Sequence, residues 1–171
     1  MNLLKKYSFL AVLLGISLLA SAALKKGDLA PDFKLKDETG TLRSLQEFKN
    51  KKVVLYFYPM DNTPHCTAQA CQLRNAYAIY KEHDIVILGI SFDSVKSHAQ
   101  FKKDHNLPFT LLSDNNKKVA HLYGADKGFT GYLVANRITV LIDEHGKIVQ
   151  TIKDVTINTH SDEILKAYGI K

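Results

Sequence analysis

Cys66 and Cys71 are the two thiols of this 171-residue chain, and the residues ahead of the first are of the kind that make a thiol reactive. A β-rich apolar run, Val53 to Tyr58, ends at Pro59, and Met60-Asp61-Asn62-Thr63-Pro64-His65 leads into Cys66. Thr63 suits an N-cap and Pro64 the first helical position. Cys66 then falls in the first helical turn, where backbone N–H groups and the positive end of the helix dipole favour an anionic sulfur. A lone thiol is most often a small buried hydrophobe; the strand end, loop and helix start point instead to a nucleophile. Continuing the helix puts Cys66, Ala70, Leu73, Tyr77 and Tyr80 on one face. Cys71 lies about 140° around the helix from Cys66 and ~7.5 Å along it, so their Cα atoms are more than about 7 Å apart, beyond disulfide reach. The pair joins only if the helix locally unwinds, which describes a pair open in one redox state and closed in the other.

The remaining chemistry-bearing residues are few. Two cysteines are too few for a four-Cys zinc site or a disulfide-stapled miniprotein. His65, Cys66 and Cys71 together resemble a set of soft-metal ligands, and copper binding is the competing reading. Among the three arginines, Arg43 falls in an early hairpin and reads as surface, Arg74 on the Cys66 helix reads as structural support, and Arg137 starts a core strand. His98, His105, His121 and His160 read as surface or helix-face residues. The formal charge is +6, from 23 basic and 17 acidic residues. The lysines are scattered, which describes a solvated surface and not a nucleic-acid stripe.

The elements that must position these groups follow from periodicity. At 46% hydrophobic and 23% charged residues, the chain has the composition of one globular domain with a real core. Lys5 and Lys6, the apolar run Phe9 to Ala20 and the small residues Ala20-Ser21-Ala22-Ala23 form a signal-peptide pattern over residues 1–22, with cleavage expected near Ala22. Its removal takes away two lysines and no acid, leaving a formal charge of +4. The expected compartment is then the periplasm or the exterior, where disulfides persist, with no stable membrane association after cleavage. In residues 23–171, Phe33 to Ser44 reads as a hairpin around Asp37-Glu38-Thr39-Gly40. Val53 to Tyr58, Ile85 to Ile90 and Ile138 to Ile142 read as buried strands. Leu107 to Leu112 reads as an edge strand entered through Pro108, and Lys147 to Lys153 as a late hairpin partner. Helices are expected over Pro64 to Lys81, Val95 to His105, Asn116 to Tyr123 and His160 to Tyr168, the last closed by Gly169. Strands alternating with helices make an α/β sandwich.

Pro59-x3-Thr63-x2-Cys66 matches the peroxiredoxin motif P-x3-[TS]-x2-C. Tyr56 to Pro59, Thr63 to Thr67, Ala70-Cys71 and Leu73-Arg74 resemble the bacterioferritin-comigratory-protein (PrxQ) branch. So do Lys96-Ser97-His98, His105 to Phe109, Leu112-Ser113-Asp114, Tyr123-Gly124, Arg137-x-Thr139 and Ile142-Asp143-x2-Gly146. The likeness runs from about Gly27 onward. His65 stands where the family usually has Gly, and Gly131 to Asn136 fits the pattern poorly. The resemblance implies a thioredoxin-like sandwich, a central mixed sheet flanked by helices with an N-terminal β-hairpin. It implies a thiol peroxidase for hydrogen peroxide and organic hydroperoxides, needing no metal or prosthetic group. In that reading Cys66 attacks the peroxide, and Thr63 orients peroxide or sulfur. Arg137 supplies a fixed cation, Pro59 shapes and shields the pocket, and Cys71 condenses with the Cys66 sulfenic acid. A thioredoxin-like dithiol recycles the enzyme, and a monomer is expected. Copper chaperones of the Sco type carry C-x3-C plus a distant His, against C-x4-C here, and disulfide exchangers carry C-x2-C. A redox-sensing binding module is the non-catalytic alternative.

Overall fold

The computed structural model describes residues 24–170; the expected signal peptide lies outside the described residues. Asp37-Glu38-Thr39-Gly40 turns the chain between β1 (Lys34–Asp37) and β2 (Leu42–Ser44). The Asp37 carboxylate accepts from the Thr39 and Thr41 amides at 2.9 and 3.0 Å, and Gly40 takes a φ of 85° that a side chain would resist. A 3-10 turn at Leu45–Phe48 leads into β3 (Lys52–Phe57). Then follow α1 (Pro64–Asn75), α2 (Tyr77–Glu82), β4 (Ile85–Ser91), α3 (Val95–Asp104) and β5 (Thr110–Ser113). The chain ends with α4 (Lys118–Tyr123), α5 (Gly128–Leu133), β6 (Ile138–Ile142), β7 (Ile148–Ile152), a 3-10 turn at Ile157–Thr159 and α6 (His160–Ala167).

The seven strands form one mixed sheet in the order β2-β1-β5-β4-β3-β6-β7. β3 runs parallel to β4 and antiparallel to β6, and β4 runs parallel to β5. Strand residues alternate between two cores, as a two-residue period requires. Val53, Leu55 and Phe57 join Leu88, Ile90, Val140 and the α4 residues Val119 and Ala120 on one face. Val54, Tyr56 and Tyr58 join Cys66, Leu73, Tyr80, Phe101 and Ile164 on the other, beneath α1, α2, α3 and α6. β3 is buried on both faces, which is why its sequence is continuously apolar. The α/β sandwich expected from the alternation of elements is present, with the N-terminal hairpin attached through β1 to β5.

Three expectations need correction. The helix expected over Pro64 to Lys81 breaks at Ala76, whose φ of −90° and ψ of 4° leave the helical well. The break lets Tyr77 pack on Phe109 while Tyr80 enters the core. β5 is not an edge strand: β1 pairs with it antiparallel on one side and β4 parallel on the other. Pro108 precedes the strand, so it removes no ladder hydrogen bond. α5 had no counterpart in the sequence reading; its residues Phe129 and Leu133 are exposed.

Candidate active site

The loop between β3 and α1 carries the motif, and a buried ionic cluster fixes its shape. Tyr58 N–H extends the β3–β4 ladder by donating to the Ile90 carbonyl at 3.1 Å. Three residues on, the Asp61 carboxylate accepts from Tyr58 Oη at 2.7 Å, Ser97 Oγ at 2.7 Å and His98 Nδ1 at 2.9 Å. Burial pushes the Asp61 carboxyl upward. The His98 hydrogen bond and charge, with the Tyr58 and Ser97 donors, outweigh it and hold the carboxyl below its ordinary value. His98 Nε2 faces the Leu112 carbonyl at 3.2 Å, so both ring nitrogens meet acceptors. The Asp61 amide donates to Asp93 Oδ2 at 3.0 Å. Asn62 then takes a φ of 57°, a left-handed turn that Asn tolerates, and its Oδ1 lies 3.3 Å from His105 Nε2. The loop is thus tied to β4, α3 and the residue that caps α3.

Thr63 occupies the N-cap position of α1 and Pro64 the first helical one. The Thr63 hydroxyl does not cap the helix as expected; it donates to the Met60 carbonyl at 3.0 Å. Pro64 has no N–H and Thr67 N–H bonds the Thr63 carbonyl at 2.9 Å. The amides of His65 and Cys66 are therefore the first-turn donors without an i−4 carbonyl. Cys66 is buried at 2% exposure, and Pro59, which opens the motif loop, is half-buried. His65 is exposed.

Arg137 immediately precedes β6, and the antiparallel pairing of β6 with β3 carries it to the end of β3 from which the motif loop leaves. Its Nη2 donates to Cys66 Sγ at 3.3 Å, and its Nη1 donates to Gln69 Oε1. A permanent positive charge therefore sits against the sulfur, and one planar group holds both thiol and amide. Behind Gln69, its Nε2 lies 3.3 Å from His160 Nδ1, and His160 Nε2 lies 3.0 Å from Thr139 Oγ1. Gln69, Thr139 and His160 are all fully buried. Burial, then the Arg137 charge, pulls the His160 pKa down to about 4, so the ring is neutral at neutral pH.

Cys71 is half-buried, and α1 is continuous through it, so both cysteines are free thiols on different faces of one helix. Arg74 supports structure as expected, donating to the His105 carbonyl at 2.8 Å. Arg43 lies in the hairpin, in ion pairs with Glu47 and Asp37.

The histidine reading is corrected at two positions: His98 and His160 are not surface residues but lie at 0% exposure. The sequence reading missed them, and with them Asp61, Gln69 and Thr139. A signal existed. His98 shares a helical stripe with Phe101, His160 with Ile164, and Gln69 stands three residues after Cys66 on the face that turns inward. Polar residues in register with an apolar stripe are buried and must be paired.

The family model described as "AhpC/TSA family" matches residues 26–151. The chain is 44% identical over 147 residues to the "Putative peroxiredoxin bcp" of Coxiella burnetii, an alignment covering 84% of this chain and 97% of that one. The crystal structure of the peroxidoxin BcpB from Mycobacterium tuberculosis superposes with a TM-score of 0.79 at 34% identity, covering 86% of this chain and 99% of that one. A structure of the Xanthomonas campestris bacterioferritin comigratory protein, described for its alkyl peroxide reduction activity, superposes with a TM-score of 0.75 at 29% identity, covering 80% and 90%. The copper-chaperone alternative gains no support from these likenesses. A thioredoxin-like sandwich that sets an arginine against a helix-start thiol, with relatives of this kind along most of its length, leaves one assignment: the chain belongs to the AhpC/TSA family, in its Bcp/PrxQ peroxiredoxin branch, and is a thiol-dependent peroxidase.

Proposed function

We propose that Cys66 is the thiol that attacks the peroxide, and the contact between Arg137 Nη2 and Cys66 Sγ carries the assignment. The attacking species is Cys66–S⁻, with the sulfur lone pair directed along the O–O axis. The new S–O bond forms as the O–O bond breaks, the sulfur gives up two electrons, and the departing oxygen leaves as alkoxide or hydroxide and takes a proton. Positioned donors aimed at that moving charge contribute most in a site where water is scarce. The Arg137 fork and the first-turn amides of His65 and Cys66 are such donors. The Thr63 hydroxyl donates to Met60 and keeps lone pairs that can accept a hydrogen bond from the peroxide O–H. Pro59, with no N–H, shields the thiol without competing for it.

Cys71 would then attack the Cys66 sulfenic acid, releasing water and forming an intramolecular disulfide. A thioredoxin-like dithiol returns both cysteines to thiols by exchange. The concave surface at Arg137 is lined by His65, Ala68, Val155 and Ile157. Its apolar side suits an alkyl tail, and the alkyl peroxide reduction of the Xanthomonas protein supports organic hydroperoxides as substrates beside hydrogen peroxide. The pattern over residues 1–22 supports export, which would put the reductant outside the cytoplasm, and the working unit would be a monomer. Fractionation with N-terminal sequencing tests the export: a product beginning near Ala23 supports it, and an intact Met1 in the cytoplasm overturns it.

The test of the nucleophile is direct. Reduced protein mixed with one equivalent of hydrogen peroxide should be oxidised at Cys66 first, with the disulfide following. A Cys66→Ser variant that consumes peroxide as fast as the unmodified protein overturns the assignment.

A further inference from the structure

We infer that His160 is a positioning residue: through Gln69 it holds Arg137 on Cys66, and its contact with Gln69 must part before Cys71 can reach Cys66. The inference rests on the roles proposed above for the two cysteines.

The hydrogen-bond inventory fixes how this chain is wired. Arg137 has only donors, so the Gln69 oxygen must face it, and the Gln69 amide nitrogen then faces His160. His160 Nδ1 can receive that donor only without a proton of its own. The ring proton then lies on Nε2 and is directed at Thr139 Oγ1, 3.0 Å away on β6. A neutral ring is the form that burial and the nearby Arg137 cation favour. The guanidinium thus sets the amide, and the amide sets the tautomer of a histidine 91 residues away in sequence.

The anchor is firm because the start of α6 is tied down twice in succession. His160 reaches α1 through Gln69, and the next residue, Ser161, pairs its Oγ with Tyr80 Oη of α2 at 2.7 Å. Ile164, one turn on, enters the same core as Leu73. Swinging Gln69 away would leave buried polar groups of Gln69 and His160 unpaired, each losing its hydrogen bond without regaining water.

Gln69 lies between the two cysteines in sequence, on the stretch of α1 that must unwind to bring Cys71 to Cys66. The helical form needed for attack and the unwound form needed for resolution therefore differ in whether His160 holds Gln69. The same contact that aims Arg137 at the thiol opposes the disulfide.

The experiment compares wild type, His160→Leu, His160→Asn, Gln69→Leu and the Gln69→Leu/His160→Leu pair. Two quantities are read: the stopped-flow rate of Cys66 oxidation by hydrogen peroxide, and the equilibrium constant for reducing the Cys66–Cys71 disulfide with dithiothreitol. His160→Leu should slow oxidation about tenfold through misaimed Arg137 and make the disulfide harder to reduce. His160→Asn, which keeps an acceptor near the Nδ1 position, should recover most of both changes. Adding His160→Leu to Gln69→Leu should change neither further. A folded His160→Leu variant within twofold of wild type in both quantities overturns the inference, as do additive effects in the pair. A measurement on the wild type needs no variant: nitrogen-15 spectra should show the Nε2–H tautomer of His160 in the reduced protein and a displaced ring signal in the disulfide form. Identical His160 signals in the two forms overturn the inference. If wild-type Cys66 itself resists peroxide, it is the peroxidatic assignment that fails.

Discussion

Arg137 Nη2 meets Cys66 Sγ at 3.3 Å across 71 residues of sequence. The contact exists because β6 lies antiparallel to β3, so the residue before β6 arrives where the chain leaves β3 for the motif loop. Sheet register thus aims the cation, and a change in either strand would misplace it.

Arg137→Gln keeps a donor but loses the charge and the fork. Loss of one such donor from a preorganised site costs about 100-fold, so the second-order rate with hydrogen peroxide should fall by roughly that factor. Arg137→Lys should recover only part of it, since a single ammonium cannot hold Cys66 and Gln69 together. Stopped-flow measurements on the two variants check this.

Cys71→Ser should leave the first oxidation of Cys66 near its wild-type rate. Without a resolving thiol, the sulfenic acid persists and moves on to sulfinic acid with excess peroxide. Mass spectrometry of the peroxide-treated variant should show two added oxygens on the peptide carrying Cys66. Turnover with a dithiol reductant should be lost.

His98 and Asp61 form a pair at 2.9 Å with both side chains essentially out of solvent. Removing one member leaves the other buried and uncompensated, a loss of about 3–5 kcal/mol. Asp61→Asn and His98→Leu should each lower stability by about that amount in urea unfolding. The double variant should be less destabilised than the sum of the two. Each single variant should also slow peroxide reduction, because Asp61 ties the loop that carries Thr63.

The acid limb of stability should carry a contribution from His160. Burial first and the Arg137 charge second lower its pKa from 6.5 to about 4. Between those values the unfolded chain takes up a proton that the folded chain refuses. The stabilisation is fully present above pH 6.5 and is lost as pH falls toward 4, by roughly 3 kcal/mol in all. Asp61 acts in a lower window, its stabilisation being lost only as pH falls below its ordinary 3.8. Urea midpoints at pH 7 and pH 4.5 should therefore differ less for His160→Asn than for the wild type.

The sequence by itself determined most of the elements and marked Cys66 as the candidate nucleophile. Val53 to Tyr58 could only be a strand covered on both faces, and Thr63-Pro64 could only start a helix, because these are short-range consequences of hydrophobic pattern and backbone restriction. Arg137 was legible through its motif and its scarcity. Tertiary structure alone decided that β5 is internal, since strand neighbours are chosen by packing of the whole sheet. It alone decided what stands behind the motif. Asp61 with His98, and Gln69 with His160, come from segments far apart in sequence, and their burial follows from α1, α3 and α6 closing over one face of the sheet. A periodic pattern says which residues turn inward; which inward polar group meets which is fixed only when the layers pack.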